Sequence, residues 1–251
     1  MVEKLKLVFQ NHRSQLLLYL KTLIFSLVLL IVFLGNFNFI YIGLFVLTAF
    51  FLYARPLFEH YYNIYSFLIL IAVALLGVWS AAGSSLVWLN WIIFSCLFYL
   101  ILGIKDYLFI KRSRLYYSAA LVLSYYIFTL FFLSDKSDWF LLKYGLAVLA
   151  VFLLIREWLA ILTSFNFPKR ELLAASVAAF LMAQILWGIA LLPIGFINSA
   201  NFALLSFFII GEFLYKHFTG GISKEFLWQH AALFIFLSAI IFWTSNWSLS
   251  F

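Results

Sequence analysis

The chain has 251 residues, of which 67% are apolar, 22% aromatic and only 10% charged, with a formal charge of +7. A soluble globular domain is nearer half apolar and a quarter charged, so this composition excludes a water-soluble fold and makes lipid the expected solvent. No RNA- or DNA-binding motif accompanies the positive charge, which excludes nucleic acid as a partner and fits basic loops held at the cytoplasmic face of a membrane.

A helix needs about 20 mostly apolar residues to span a bilayer, fewer where its ends are aromatic or snorkelling. In chain order that criterion predicts spans over 16–34, 37–54, 64–80, 86–104, 115–133, 139–155, 172–192, 201–215 and 226–243. The sixth extends to Thr163 if the charged pair Arg156-Glu157 is carried inside the helix. The expected fold class is therefore all-α, a polytopic transmembrane helical bundle of about nine spans, forming one integral membrane domain over residues 1–251. The basic then apolar N-terminus resembles a signal peptide superficially. Its apolar stretch is too long for one, and no small-residue cleavage site follows.

Alternating the loops tests this count. With the N-terminus in the cytoplasm, fourteen of the sixteen Lys and Arg fall on the inner side, among them Arg13, Arg55, Lys105, Arg112, Arg156, Lys169 and Lys216. Lys136 and Lys143 alone fall outside. Such a bias is what sets orientation in short loops, and an odd span number leaves the C-terminus outside. A prokaryotic plasma membrane is the expected location, with the lipid bilayer and other membrane protein subunits as partners.

Polar groups at membrane depth are few. No Asp, Glu, Lys, Arg or His lies near the middle of a predicted span; Lys21 and Lys143, one turn in, are expected to snorkel to the headgroups. Gln184 is expected to make an interhelical hydrogen bond, with Ser95, Ser118, Ser124 and Thr129 as the other intramembrane hydroxyls. Cys96 is alone and reads as a small hydrophobe. Neither a metal-ligand spacing nor a cofactor motif is present, so no metal and no cofactor is expected.

The most distinctive pattern is at the cytoplasmic ends of the even-numbered spans. Ile104-Lys105-Asp106-Tyr107-Leu108, Ile155-Arg156-Glu157-Trp158-Leu159 and Ile210-Gly211-Glu212-Phe213-Leu214 each set an acid before an aromatic and Leu. Arg55 and Glu59 form a looser counterpart, and the acids recur at intervals of 47, 51 and 55 residues. That period equals one helical hairpin and raises the reading of a hairpin repeat. Glu59, Asp106, Glu157 and Glu212 then share one depth and one face. Together with Arg156, Lys216 and His230 they form a candidate layer for binding a substrate or a lipid headgroup. The competing reading is structural: Glu212 and Lys216 stand in the favourable i,i+4 order for a helix ion pair. If the sixth span reaches Thr163, Glu157 lies about 9 Å inside the helix end and needs a buried partner.

These features leave three classes of function. The first is a non-catalytic membrane component: a scaffold, assembly factor or complex subunit. The second is a carrier or channel for a lipid-like or small anionic substrate. The third is a membrane enzyme acting on a lipid-linked substrate at the cytoplasmic face. The unbroken apolarity and the lack of a catalytic motif favour the first.

Overall fold

A computed structural model describes residues 2–35, 37–54, 64–80, 86–106, 111–133, 139–163 and 168–245, with side chains from residue 15 onward apart from residue 86. Arg55, Glu59, His60 and Lys136 lie outside the described residues. All regular structure among the described residues is helical: α1 (Val2–Leu34), α2 (Phe39–Ala54), α3 (Ile64–Ser80), α4 (Leu86–Lys105), α5 (Arg112–Leu133), α6 (Phe140–Thr163), α7 (Pro168–Ala190), α8 (Phe196–Thr219) and α9 (Lys224–Thr244). Seven of these are long and apolar enough to cross a membrane. The other two, α2 and α3, have 16 and 17 residues. At 1.5 Å per residue they reach about 24–26 Å, short of the roughly 30 Å hydrocarbon core.

Large apolar side chains face outward along these helices, including Phe39 at 90%, Trp228 at 77% and Trp243 at 91% exposure. In water they would be an aggregation surface; in lipid they are in their proper solvent. The chain is an integral membrane protein of helical type.

Helix boundaries follow local chemistry. The second predicted span starts at residue 37, but α2 begins at Phe39. Phe37 sits at φ 57, and the Asn38 side chain accepts the Ile40 N–H at 3.2 Å, the geometry of an N-cap. Gly35 is needed where it stands, because a Cβ there would overlap the Tyr41 ring. Pro168 opens α7, where its missing N–H costs nothing. At the α8–α9 turn the N–H groups of Gly220 and Gly221 both reach Lys216 O, with Gly221 at φ 83, and Ser223 caps α9 by accepting from Phe226 N. The sixth helix takes its longer form and runs to Thr163.

Two compact units divide the chain, Met1–Ala119 and Ala120–Phe251. In the first, α1 packs on α2 and α4, and α3 packs on α4. Its core is a circuit of rings. Phe25 of α1 stacks on Phe98 of α4 at 4.0 Å and leans on Phe45 of α2 at 5.2 Å. Phe98 neighbours Phe67 of α3 at 6.4 Å, and Phe67 stacks on Tyr53 of α2 at 4.0 Å, which closes the circuit. Trp91 adds a hydrogen bond from its indole N–H to Ser26 O at 2.8 Å.

In the second unit, α6 packs on α7, α7 on α8 and α8 on α9. The inner face of α7 is small and smooth, with Ala175, Ala178, Ala179 and Met182 buried at helical spacing. Small side chains let backbones approach closely, which is where packing energy comes from when lipid offers no hydrophobic driving force between helices. The Tyr144 hydroxyl donates to Ala183 O at 2.7 Å and joins α6 to α7. This polar contact falls one residue from Gln184, which is exposed and hydrogen-bonds to none of the described residues. The expectation for Gln184 is corrected. A neighbouring backbone carbonyl, reached by a tyrosine on the facing helix, takes its place.

Phe98→Ala should open a void shared by α1, α3 and α4. We expect a loss of about 1–3 kcal/mol, less than the 3–5 of a water-soluble core, because a ring released from the bundle remains in lipid. Unfolding of the detergent-solubilised protein measures it.

Candidate functional site

The cytoplasmic-end charges predicted from the sequence are distributed over both units. In the first, α1 carries a buried stripe, Leu18, Lys21, Phe25, Leu29 and Val32. Lys21 is a member of that stripe and is only 7% exposed. Its position on the packing face turns it toward the end of α4, where its ammonium lies 4.0 Å from the Asp106 carboxylate. The 3–4 spacing of Leu18, Lys21 and Phe25 was the available signal for this burial.

Lys105, beside Asp106, reaches α2. Its ammonium donates to Tyr53 O and sits over the Tyr53 ring, 4.2 Å from the centroid. Two lysines and one aspartate thus bind α1, α2 and α4 at one level, with one positive charge in excess. Asp106 lies just beyond the apolar span that ends at Lys105. Burial pushes its carboxyl above the usual 3.8 by more than Lys21 and Lys105 pull it down.

In the second unit the pair on α6 splits. Arg156 is exposed while Glu157, one residue and about 100° further round, is buried at 7% exposure. Glu157 is partnered, as its depth requires. A further buried acid escaped sequence reasoning: Glu171, in the first turn of α7, accepts a hydrogen bond from the Thr163 hydroxyl at the end of α6. An acid three residues after a helix-opening proline was the signal for it, since helix N-termini favour negative charge.

On α8, Glu212 and Lys216 are half-buried, and no ion pair joins them among the described residues. Lys216 instead lies 5.6 Å over the Phe226 ring of α9. Competition from this aromatic face across the hairpin explains why the favourable spacing is not used. His230 packs on the same ring at 3.9 Å, with Nδ1 2.9 Å from Phe226 O. A carbonyl only accepts, so Nδ1 is the donor in this contact. Beside them a groove of about 550 Å³ is lined by Phe213, Lys224, Trp228, His230 and Phe234.

Among the predicted site residues, then, Lys216 and His230 meet around Phe226. Asp106 belongs to the first unit, Arg156, Glu157 and Glu212 to the second, and Glu59 lies outside the described residues. Among the described residues no group of three or more His, Cys, Asp or Glu is placed to hold a metal. No protein-family model, no curated protein and no solved structure matches the chain.

Lys21 and Asp106 should behave as a coupled pair. Lys21→Met should destabilise by about 1 kcal/mol or more, because it leaves the Asp106 carboxylate without its partner, and it should do so less in an Asp106→Asn background. The pH dependence has a definite sign. A carboxyl raised in the folded state contributes stability that is complete below its unfolded value and is lost as pH rises through the raised one. Asp106→Asn should remove that downward slope from a plot of stability against pH.

Proposed function

We propose that this chain is a non-catalytic component of a prokaryotic plasma membrane, a scaffold or complex subunit that crosses the bilayer nine times with its N-terminus in the cytoplasm. The observation that carries the reading is α9. Only 6% of its apolar window is buried. It packs chiefly on α8, holding Phe226 and Ser238 inside and presenting Trp228, Ile235, Phe236 and Trp243 outward. A helix so lightly held within its own chain has most of its face left for helices of another membrane protein.

Charge usage supports the same reading. A carrier needs a polar path, and an enzyme needs converging acids and bases. Here Lys21, Asp106, Lys105, Glu171 and Lys216 are engaged in contacts that fasten one helix to the next. The nine-span orientation rests on the distribution of basic residues, which puts fourteen of sixteen on one side. The short α2 and α3 are accommodated by aromatic ends and local thinning of the bilayer.

Gentle extraction followed by mass spectrometry should recover a stoichiometric membrane protein partner, and Ile235→Ala with Phe236→Ala should release it without loss of the folded chain. Flux or turnover by the purified chain alone in vesicles would overturn the proposal. Reporter fusions at Gly221 and at Gly195 should report cytoplasm and exterior respectively.

A further inference from the structure

A small cavity at the start of α8 is built from features that no packing role absorbs. It measures about 80 Å³ and lies where the ends of α5 and α7 meet the starts of α6 and α8. One water needs roughly 10–15 Å³ of such space, so the cavity takes a small ion with a few waters and excludes a metabolite. Its wall is formed largely by apolar side chains such as Phe131, Phe140 and Ile194, with two exceptions.

The first exception is Lys143, the one charged side chain among the described lining residues. It is half-buried there, and it keeps other interactions as well. The second is Ser199, which is 3% exposed. Ser95, Ser176 and Ser206 return their hydroxyls to the carbonyl four residues back, at 2.8 to 3.0 Å. The Ser199 hydroxyl does not, and it has no hydrogen-bond partner among the described residues. It belongs to the cavity wall instead.

The third contribution is the backbone. The 24-residue α8 starts at Phe196 behind Gly195, which has no side chain to cap it. Ser199 N–H is the first to find a carbonyl, Gly195 O at 3.0 Å. The amides of residues 196–198 have no acceptor among the described residues and carry the positive end of the helix dipole. A lysine, an unpartnered hydroxyl and an uncapped helix start therefore border one small space, whose surface is divided between polar and apolar atoms. All three stabilise negative charge, against the carbonyl ends of α5 and α7 that meet the same space.

We propose that this cavity binds a small inorganic anion of the size of chloride, which caps α8 in place of the side chain that residue 195 lacks. The anion accepts from the first-turn amides and the Ser199 hydroxyl, and its charge is balanced by Lys143. Gly195 makes the idea separable from simple packing. A Cβ there meets nothing within 4 Å, and φ −63, ψ 153 suits any L-residue. Gly195→Asp therefore installs a covalent carboxylate at the cap.

The test uses the full chain in lipid nanodiscs, with chloride replacing gluconate at constant ionic strength and thermal unfolding followed by tryptophan fluorescence. Chloride should raise the midpoint saturably, as a ligand of the folded state does. Ser199→Ala and Lys143→Gln should each weaken the apparent affinity by about fivefold or more, the loss of one charge-assisted or neutral hydrogen bond. Gly195→Asp should raise the midpoint in gluconate and abolish the response to chloride. Equal midpoints in both salts for the wild-type chain would overturn the proposal. So would a Gly195→Asp chain that responds to chloride as the wild type does. Radiolabelled chloride binding to the unmutated chain is independent of any variant's folding: one saturable site per chain is expected, and none refutes it.

Discussion

The backbone is the polar part of this chain that lipid cannot tolerate unpaired, and the rest of the structure is arranged around satisfying it. Within hydrocarbon each unpaired N–H or C=O costs several kcal/mol, so the spanning segments are helical regardless of side-chain propensity. Phe, Ile, Val and Tyr, indifferent helix formers in water, fill these helices without penalty because no aqueous alternative competes. Helix ends are where the constraint is met by specific means. Asn38 caps α2, Ser223 caps α9, and the glycines after α8 fold back onto Lys216 O. The start of α8 behind Gly195 stands apart from these, with no capping side chain.

Once the backbone is satisfied, shape and a few charges decide which helices meet. The first unit relies on stacked rings, Phe25 on Phe98 and Phe67 on Tyr53, whose faces carry both dispersion and a preferred geometry. The second relies on small residues along α7 and α8, where Ala175, Ala178, Ala200 and Ala203 are buried and the backbones draw close. The two solutions address the same problem, since neither unit has water to drive its helices together.

The charged residues near the ends of the helices act as fasteners in this setting. Lys21 is the clearest case, because its burial on α1 would be costly without Asp106 of α4 beside it. Lys105 holds α2 through the Tyr53 carbonyl, and Glu171 receives the Thr163 hydroxyl across the turn from α6 to α7. Lys216 prefers the Phe226 ring on the next helix to Glu212 on its own. The contacts of Glu171 and Lys216 join sequential helices, whereas those of Lys21 and Lys105 tie α4 back to α1 and α2.

Much of this was legible in the sequence, and the reason is that apolar length is a one-dimensional property. The helices α3, α4, α5 and α9 fall within a few residues of their predicted limits, and the continuation of α6 to Thr163 was tied in advance to the burial of Glu157. Hydropathy reports how much of a segment suits lipid, however, and is blind to direction. It could not show that Lys21 lies on the packing face of α1 beside Asp106, nor that Tyr144 and not Gln184 makes a polar contact between α6 and α7. Nor could it reveal that Ser199, Lys143 and the first turn of α8 border one cavity, because they come together only when the ends of α5, α6, α7 and α8 meet. Composition and periodicity determined that these segments are helices in a membrane. The rotation of each helix about its axis, which selects the side chains that meet, was decided by packing in three dimensions.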